Sequence, residues 1–227
     1  MEIKTVGVVG CGLMGSGIVE LAAKYGYTVV VREINDDLLA KGLKRIQGSM
    51  ARAVEKGKLS AADRDAALAR IKGTTAWNDL AEVDIAIEAA IENLELKKAI
   101  FKELDAVTRP DAILASNTSS LAVTEMASVT RRPDKVLGLH FFNPVPVMPL
   151  LEIVRTFLTS EETYQVARKW GEGLGKTVVV SKDAPGFIVN ALLIPYLLDA
   201  VRMYENGFAS KEDIDTGIKL GLNHPMG

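Results

Sequence analysis

Residues 4–18 read Lys-Thr-Val-Gly-Val-Val-Gly-Cys-Gly-Leu-Met-Gly-Ser-Gly-Ile, and residues 28–33 read Thr-Val-Val-Val-Arg-Glu. The β-branched run at 6–9 is typical of a buried parallel strand. Gly10, Gly12 and Gly15 follow at G-x-G-x-x-G spacing, where that strand must turn into a helix. A second β-branched run at 29–31 closes the unit and ends in the acid Glu33. This stretch predicts a βαβ unit with a glycine-rich first turn.

Each glycine of this turn has a separate physical role in binding a dinucleotide. Gly10 permits the tight turn, Gly12 lets a pyrophosphate approach the backbone, and Gly15 lets the helix pack on the strand. The N-terminus of the helix offers N–H groups and a positive dipole end to the phosphates. Glu33 lies 18 residues after Gly15, where a carboxylate can accept hydrogen bonds from ribose hydroxyls. Its charge disfavours a 2′-phosphate and favours NAD over NADP, although the adjacent Arg32 weakens this preference.

The composition excludes several classes of protein. The chain has 227 residues, 48% of them hydrophobic and 25% charged, with a formal net charge of −2. This balance gives no electrostatic reason to expect nucleic acid or membrane partners. The one cysteine, Cys11, excludes an internal disulfide framework and fits a reducing compartment. We therefore expect a cytoplasmic protein without a leader peptide, and we expect no metal.

The order of the remaining patterns predicts an α/β, Rossmann-type doubly wound, mostly parallel sheet followed by an all-helical domain. We place the NAD-binding domain at 1–184 and the helical domain at 185–227, because only helical patterns follow the segment Asp183-Ala-Pro-Gly-Phe. Two helical patterns at about 35–70 are long for a simple crossover and predict an insertion that projects from the sheet. A Thr159-x-x-Glu162 pattern predicts the start of a helix that runs to about residue 174.

Chemistry-bearing side chains stand at the predicted strand ends, where sites in open α/β sheets gather. His140 ends an apolar strand, and Ser119, Asn143 and Glu152 lie in similar positions. A turn between two strands can bring Glu152 onto the imidazole, which fixes its tautomer and leaves the other nitrogen to take a proton. An enzyme that oxidises an alcohol with a nicotinamide needs such a base, and Ser119 and Asn190 could then bind the substrate oxygen. Taken alone, His140 could equally be a structural histidine.

The sequence resembles the L-3-hydroxyacyl-CoA dehydrogenase family, and most closely its short bacterial 3-hydroxybutyryl-CoA dehydrogenases. The resemblance covers all 227 residues. Four motifs carry it, namely Gly-Cys-Gly-Leu-Met-Gly-Ser-Gly-Ile at 10–18, Ser-Asn-Thr-Ser-Ser-Leu at 116–121, His-Phe-Phe-Asn-Pro-Val-Pro-Val-Met at 140–148 and Asp-Ala-Pro-Gly-Phe-Ile-Val-Asn at 183–190.

The resemblance implies a set of site residues. The catalytic residues that it implies are His140 as general base, Glu152 as its partner, Ser119 and Asn190. The dinucleotide residues are Gly10, Gly12, Leu13, Met14, Gly15, Glu33, Glu92, Lys97, Ser119 and Asn143. The coenzyme A residues of the acyl-CoA substrate are Ser49, Lys56 and Ser119. Ser49 and Lys56 are also seven residues apart, which puts them about 10 Å apart along one helix face, and a lysine can meet a phosphate there.

We therefore expect a reversible, NAD-dependent oxidation of (S)-3-hydroxyacyl-CoA, with a short acyl chain, to 3-oxoacyl-CoA. In the family the chain continues past the His-Pro-Met-Gly motif at 224–227 with helices that complete the substrate domain and the dimer interface. The second domain is thus expected to be truncated, and the assembly to be a homo-oligomer. Three alternatives remain. The protein could be a non-catalytic NAD-binding or structural relative, similar to the lens crystallins of this family, or an inactive truncated fragment. It could also be an enzyme that acts on 3-hydroxy acids without coenzyme A.

Overall fold

The computed structural model describes all residues from 1 to 227, and strands and helices alternate through most of the chain. The strands are β1 Thr5–Val9, β2 Thr28–Arg32, β3 Ile71–Thr74, β4 Ile85–Glu88, β5 Ile113–Ser116, β6 Val136–Phe141, β7 Leu150–Arg155 and β8 Thr177–Lys182. The α-helices are α1 Leu13–Lys24, α2 Asp36–Glu55, α3 Ala61–Ala69, α4 Leu94–Val107, α5 Val123–Ala127, α6 Glu161–Gly173, α7 Val189–Glu205 and α8 Lys211–Gly221.

All eight strands belong to one sheet in the order β3-β2-β1-β4-β5-β6-β7-β8. The first six follow the doubly wound order 3-2-1-4-5-6 and are parallel to their neighbours. β7 runs antiparallel to β6, and β8 is parallel to β7. The predicted Rossmann-type fold is therefore confirmed, with its order reversing between β1 and β4. Ligands of such sheets bind at the carboxyl ends of the strands at this reversal.

Helices cover both faces of the sheet, and each face has its own apolar core. Residues of β1, β4, β5 and β6 alternate between the two cores because successive side chains on a strand point to opposite faces. On one side Val8 and Ile87 pack with residues of α1, α2 and α6. On the other side Leu114 packs with residues of α4 and α5, such as Phe101 and Met126. The central strands are consequently buried on both faces, as parallel strands generally are.

The helices α2 and α3 form the crossover connection between β2 and β3, and the projection of this predicted insertion from the sheet stays a prediction. The short edge strand Ile71–Thr74 receives them and pairs with β2. The inner face of α2, which includes Leu39, Ile46 and Met50, is buried in the same core as α1. The strand β3 was not predicted, because a four-residue segment with Lys and Gly at its centre carries little strand signal.

The predicted start of α6 is also wrong by one residue. The N-cap is Ser160, whose hydroxyl accepts a hydrogen bond from the Thr163 backbone N–H at 3.1 Å. Thr159 instead bonds the Val136 carbonyl through its own hydroxyl. Both residues are hydroxyl-bearing, so the sequence pattern alone could not decide which of them caps the helix.

Backbone contacts divide the chain into a unit of residues 1–187 and a unit of residues 188–227. The second unit consists of α7 and α8, and Ser210 caps α8 by accepting from the Asp213 N–H at 3.1 Å. The predicted domain border at 184/185 lies three residues before this division. None of the helices combines the length and the apolar run that crossing a bilayer demands.

Candidate active site

The glycine loop between β1 and α1 leaves room for a ligand at one position only. Gly10 has a φ of +99°, and a Cβ atom there would lie 2.7 Å from the Ala89 carbonyl oxygen. A Cβ atom at Gly15 would lie 1.9 Å from the Gly10 carbonyl oxygen. A Cβ atom at Gly12 meets nothing within 4 Å. The first and third glycines are thus required by packing, whereas the second opens the backbone toward solvent.

The N-terminus of α1 is suited to an anion. Its N-cap is Gly12, which has no side chain to occupy the first N–H groups, and no acidic residue stands in the first turn. Leu13 and Met14 begin the helix, and the first N–H groups of a helix have no partner within it. Together with the open backbone at Gly12, this arrangement fits the pyrophosphate of a dinucleotide.

Glu33 stands at the carboxyl end of β2 and braces the glycine loop. Its two carboxylate oxygens accept hydrogen bonds from the Cys11 N–H at 2.6 Å and from the Ile34 N–H at 3.0 Å. The neighbouring Arg32 is turned away, because its guanidinium lies 4.0 Å from the centre of the Trp77 ring and its Nε donates to the Thr75 carbonyl. Arg32 therefore has partners of its own, and the negative charge of Glu33 decides the electrostatics at this edge.

A network of charged side chains fills the carboxyl ends of β4 and β5. Glu88, which is fully buried, accepts from the Ser116 hydroxyl and from the Lys97 ammonium, each at 2.6 Å. Lys97 also lies 3.2 Å from Glu92. The other oxygen of Glu92 accepts from the Ser119 N–H at 3.1 Å. The structure thus brings three predicted residues, Glu92, Lys97 and Ser119, into one cluster.

The sequence interpretation missed Glu88, although it is the acid at the centre of this cluster. Its position at the end of an Asp-Ile-Ala-Ile-Glu strand pattern was visible, and its burial was not. Lys97 is 1% exposed, and its ammonium has two carboxylate partners. Thr118 was also not predicted. Its hydroxyl donates a hydrogen bond to Glu92 and accepts hydrogen bonds from the N–H groups of Ser120 and Leu121.

His140 and Glu152 face each other across the antiparallel pair β6–β7. Their positions are directly opposite in the strand register, which brings cross-strand side chains close together. The Nδ1 atom of His140 lies 2.6 Å from Oε2 of Glu152. Glu152 is fully buried and His140 is 6% exposed, so water competes little for this contact. The arrangement assigns the Nδ1 proton to the Glu152 side and leaves Nε2 as a proton acceptor.

Aromatic rings and a braced loop surround His140. The rings of Phe142 and Phe187 lie 4.5 Å and 5.6 Å from the imidazole centre. Asn143 is exposed and begins the loop that leads to β7. The buried Lys176 donates to the Val145 and Met148 carbonyls of that loop, at 2.6 Å and 2.7 Å. His140 and Asn143 therefore stand on a strand end and a loop that have fixed positions.

The two predicted coenzyme A residues lie in different surroundings on α2. Ser49 is half-buried, and it acts to lower the pKa of the Glu20 carboxyl group on α1. Burial raises the pKa of Glu20, against the opposing effects of Ser49 and nearby cations. Lys56 is exposed at the C-terminal end of α2. Lys56 thus presents its ammonium to solvent, while Ser49 is half-buried and influences an acid on α1.

Asn190, the remaining predicted site residue, lies in the first turn of α7. It belongs to the second unit, and its predicted role toward the substrate oxygen stays a prediction.

Two models of known protein families match this sequence. The model of the 3-hydroxyacyl-CoA dehydrogenase NAD-binding domain matches residues 5–184, and the model of the C-terminal domain of that family matches residues 186–227. The chain belongs to the 3-hydroxyacyl-CoA dehydrogenase family. This confirms the resemblance drawn from the motifs, and NAD as the cofactor of the first domain.

Individual relatives agree with this assignment. A 3-hydroxybutyryl-CoA dehydrogenase of Mycobacterium tuberculosis is 51% identical over 99% of this chain and 79% of that protein. The human mitochondrial hydroxyacyl-coenzyme A dehydrogenase is 47% identical over 99% of this chain and 74% of its own length. The crystal structure of (S)-3-hydroxybutyryl-CoA dehydrogenase from Ralstonia eutropha is similar with a TM-score of 0.97 and 46% identity, over 100% of this chain and 80% of that one.

Proposed function

We propose that this protein catalyses the reversible, NAD-dependent oxidation of (S)-3-hydroxyacyl-CoA to 3-oxoacyl-CoA. Membership of the 3-hydroxyacyl-CoA dehydrogenase family gives the reaction class, and the names of the 3-hydroxybutyryl-CoA relatives favour a short acyl chain. The observation that carries the proposal is the buried contact between His140 and Glu152. His140 lies near the carboxyl end of β6, and the glycine loop follows the carboxyl end of β1.

In this proposal His140 takes the proton of the substrate hydroxyl through Nε2. Glu152 holds Nδ1–H, orients the ring and stabilises the imidazolium that forms. When bound, NAD would serve as the two-electron oxidant and would accept a hydride from the substrate C3 atom. The hydroxyl proton remains on His140, so atoms and charge balance. In the reverse direction the protonated His140 returns that proton to the carbonyl oxygen.

The other predicted residues have supporting roles in this proposal. Ser119 and Asn190 would hydrogen-bond the substrate oxygen, because both carry short side chains that can donate to an oxygen atom. Asn143 and Glu92 would contact NAD, and Glu33 would accept the ribose hydroxyls. Lys97 contributes to the same region, although its ammonium already has two carboxylate partners.

Turnover of acetoacetyl-CoA with NADH tests the proposed function directly. The His140→Ala variant should lower kcat by about 10²- to 10⁴-fold, the usual contribution of a general base, and should retain NADH affinity. His224→Ala is the matched control, because His224 is the second of the two histidines and is exposed. NADH binding by the wild-type protein without any turnover would favour a non-catalytic relative. Near-normal turnover by His140→Ala would exclude His140 as the base.

Coenzyme A recognition is proposed to involve Lys56, whose exposed ammonium can meet a phosphate as a point charge. We expect Lys56→Ala to raise KM for acetoacetyl-CoA several-fold, on the order of 1 kcal/mol for one solvent-exposed charge contact. The KM for an acetoacetyl thioester of N-acetylcysteamine, which lacks the nucleotide, should not change. Lys58→Ala is the control, since Lys58 is also exposed near the end of α2. An equal rise of KM for both thioesters would contradict a contact with the nucleotide.

We also propose that the protein is a cytoplasmic homo-oligomer. The one cysteine, Cys11, is free and buried, which fits a reducing compartment. The helix α7 exposes many apolar side chains, among them Leu192, Leu197 and Val201, and such a surface is typical of a protein interface. Light scattering tests the assembly, and a monomer at high concentration would refute it.

A further inference from the structure

Three charged side chains connect the end of β4 to the loop that carries Ser119. Glu88 is the last residue of β4, Lys97 lies in the first turns of α4, and Glu92 lies in the connection between them. Lys97 is shared by the two carboxylates, at 2.6 Å from Glu88 and 3.2 Å from Glu92. Glu92 in turn accepts the Ser119 N–H and the Thr118 hydroxyl. A change at Glu88 can therefore reach Ser119 through two intermediate groups.

We propose that Glu88 is a positioning residue for Ser119, and that it acts through Lys97 and Glu92. In one respect the proposal rests on the proposed function, because it takes the substrate oxygen as the ligand of Ser119. A buried ion pair seldom adds net stability, since removing two charges from water costs as much as their attraction returns. The pair of Glu88 and Lys97 is buried almost completely, so we assign it a role in positioning side chains and not in stabilising the fold.

The geometry depends on where each carboxylate is anchored. Glu88 is fixed by the Ser116 hydroxyl and the Ala90 N–H, at 2.6 Å and 2.7 Å, and so holds the Lys97 ammonium inside the protein. The side chain of Glu92 is 39% exposed, and without Lys97 it could turn toward water. Lys97 thus keeps the Glu92 carboxylate directed at the backbone of Ser119.

The charge state of Glu92 agrees with this role. Burial acts to raise the pKa of Glu92, but hydrogen bonds from the Thr118 hydroxyl and the Ser119 N–H, together with the Lys97 ammonium, outweigh it and lower the pKa. The carboxylate is therefore ionised at neutral pH and accepts hydrogen bonds with both oxygens, as the positions of Lys97 and Ser119 require.

A double variant, Glu88→Gln with Lys97→Met, tests the proposal at constant net charge. We expect kcat with acetoacetyl-CoA to fall about 10-fold or more, because small displacements of a positioning group are costly. Asp84→Asn is the control: Asp84 directly precedes β4, at the end opposite to Glu88, and accepts hydrogen bonds from Lys4, Thr5 and Arg109. It should lower the melting temperature and leave kcat unchanged.

The Ser119→Ala background shows whether the double variant acts through Ser119. If it does, the two added substitutions should cost less than about twofold in kcat on that background, since coupled residues are not additive. The same full loss on both backgrounds would overturn the proposal.

Amide hydrogen exchange gives a readout that does not depend on activity. The Ser119 N–H is held by Glu92, so its exchange should be at least about 10-fold faster in the double variant and unchanged in Asp84→Asn. Unchanged exchange at Ser119 in the double variant would refute the proposal even if turnover fell. An inactive wild-type protein would refute the proposed function alone, and the exchange result would still decide the position of Ser119.

Discussion

The contact between Glu152 and His140 allows a quantitative prediction for Glu152→Gln. The substitution keeps the size of the side chain and removes its charge. A charge-assisted hydrogen bond contributes about 1.5–3 kcal/mol and a neutral one about 0.5–1.5 kcal/mol. The difference of about 1–1.5 kcal/mol corresponds to a roughly 10-fold slower reaction.

The attraction between the imidazolium and the carboxylate sets an upper limit to this loss. Two unit charges 4 Å apart attract by about 4 kcal/mol at an effective dielectric constant of 20, which corresponds to about 10³-fold. Because His140 and Glu152 are almost completely buried, the loss should lie between these limits, and we expect kcat to fall about 10²-fold. Stopped-flow oxidation of NADH at saturating acetoacetyl-CoA measures it.

Two controls separate the chemistry from the fold. NADH affinity and the melting temperature of Glu152→Gln should stay close to those of the wild type, since a neutral amide is easier to bury than a carboxylate. His140→Ala combined with Glu152→Gln should be no slower than His140→Ala alone, because Glu152 acts through His140. Turnover of Glu152→Gln within about twofold of the wild type would refute the reasoning.

Three further predictions follow from single contacts. Glu33→Ala should weaken NAD binding about 10-fold or more and reduce the preference for NAD over NADP, because the variant loses a ribose acceptor and the partner of the Cys11 N–H. Fluorescence titration with NADH and NADPH measures both affinities, and an unchanged ratio of the two would contradict the prediction. Burial, with Glu33 adding to it, raises the pKa of Cys11 to about 11, so iodoacetamide at pH 8 should label the native protein only at the rate at which it unfolds; rapid labelling without denaturant would disprove this. Burial acts to raise the pKa of Asp105, but hydrogen bonds from Arg131 and Arg132 outweigh it and lower the pKa below 3.8. The stabilisation by Asp105 is therefore complete above pH 3.8 and disappears as the pH falls through the lowered pKa; the stability gap between the wild type and Asp105→Asn, measured by urea unfolding, should shrink below pH 4.

Much of the fold followed from patterns that are local in the sequence. The strand, the glycine turn and the helix at 5–24 are predicted because each glycine position has a distinct steric requirement. Asn35 and Ser60, whose side chains are of the types that favour N-cap positions, accept hydrogen bonds from the N–H groups three residues on. The four-residue strand β3 and the five-residue helix α5 were missed, because such short segments carry almost no periodicity.

In the candidate site, too, contacts between residues close in the sequence could be predicted, and contacts between distant residues could not. His140 and Glu152 are joined by one connection between adjacent strands, so their approach could be anticipated from the sequence, and the register puts them opposite each other. Ser49 lies on α2 and Lys56 is its C-cap, so their separation along the helix is one that periodicity can predict. It could not give the neighbour of Ser49, which is Glu20 on a helix earlier in the chain.

The burial of Glu88 shows why the rest of the site needed the three-dimensional structure. Its partners come from the loop after β4, from the start of α4 and from the end of β5. These segments meet only because β4 and β5 are neighbours in the sheet, with α4 crossing between them. An acid at the end of a strand pattern looks the same in a sequence whether it faces water or a buried lysine. What distinguishes the two cases is the strand order, and that order follows from the packing of the whole sheet.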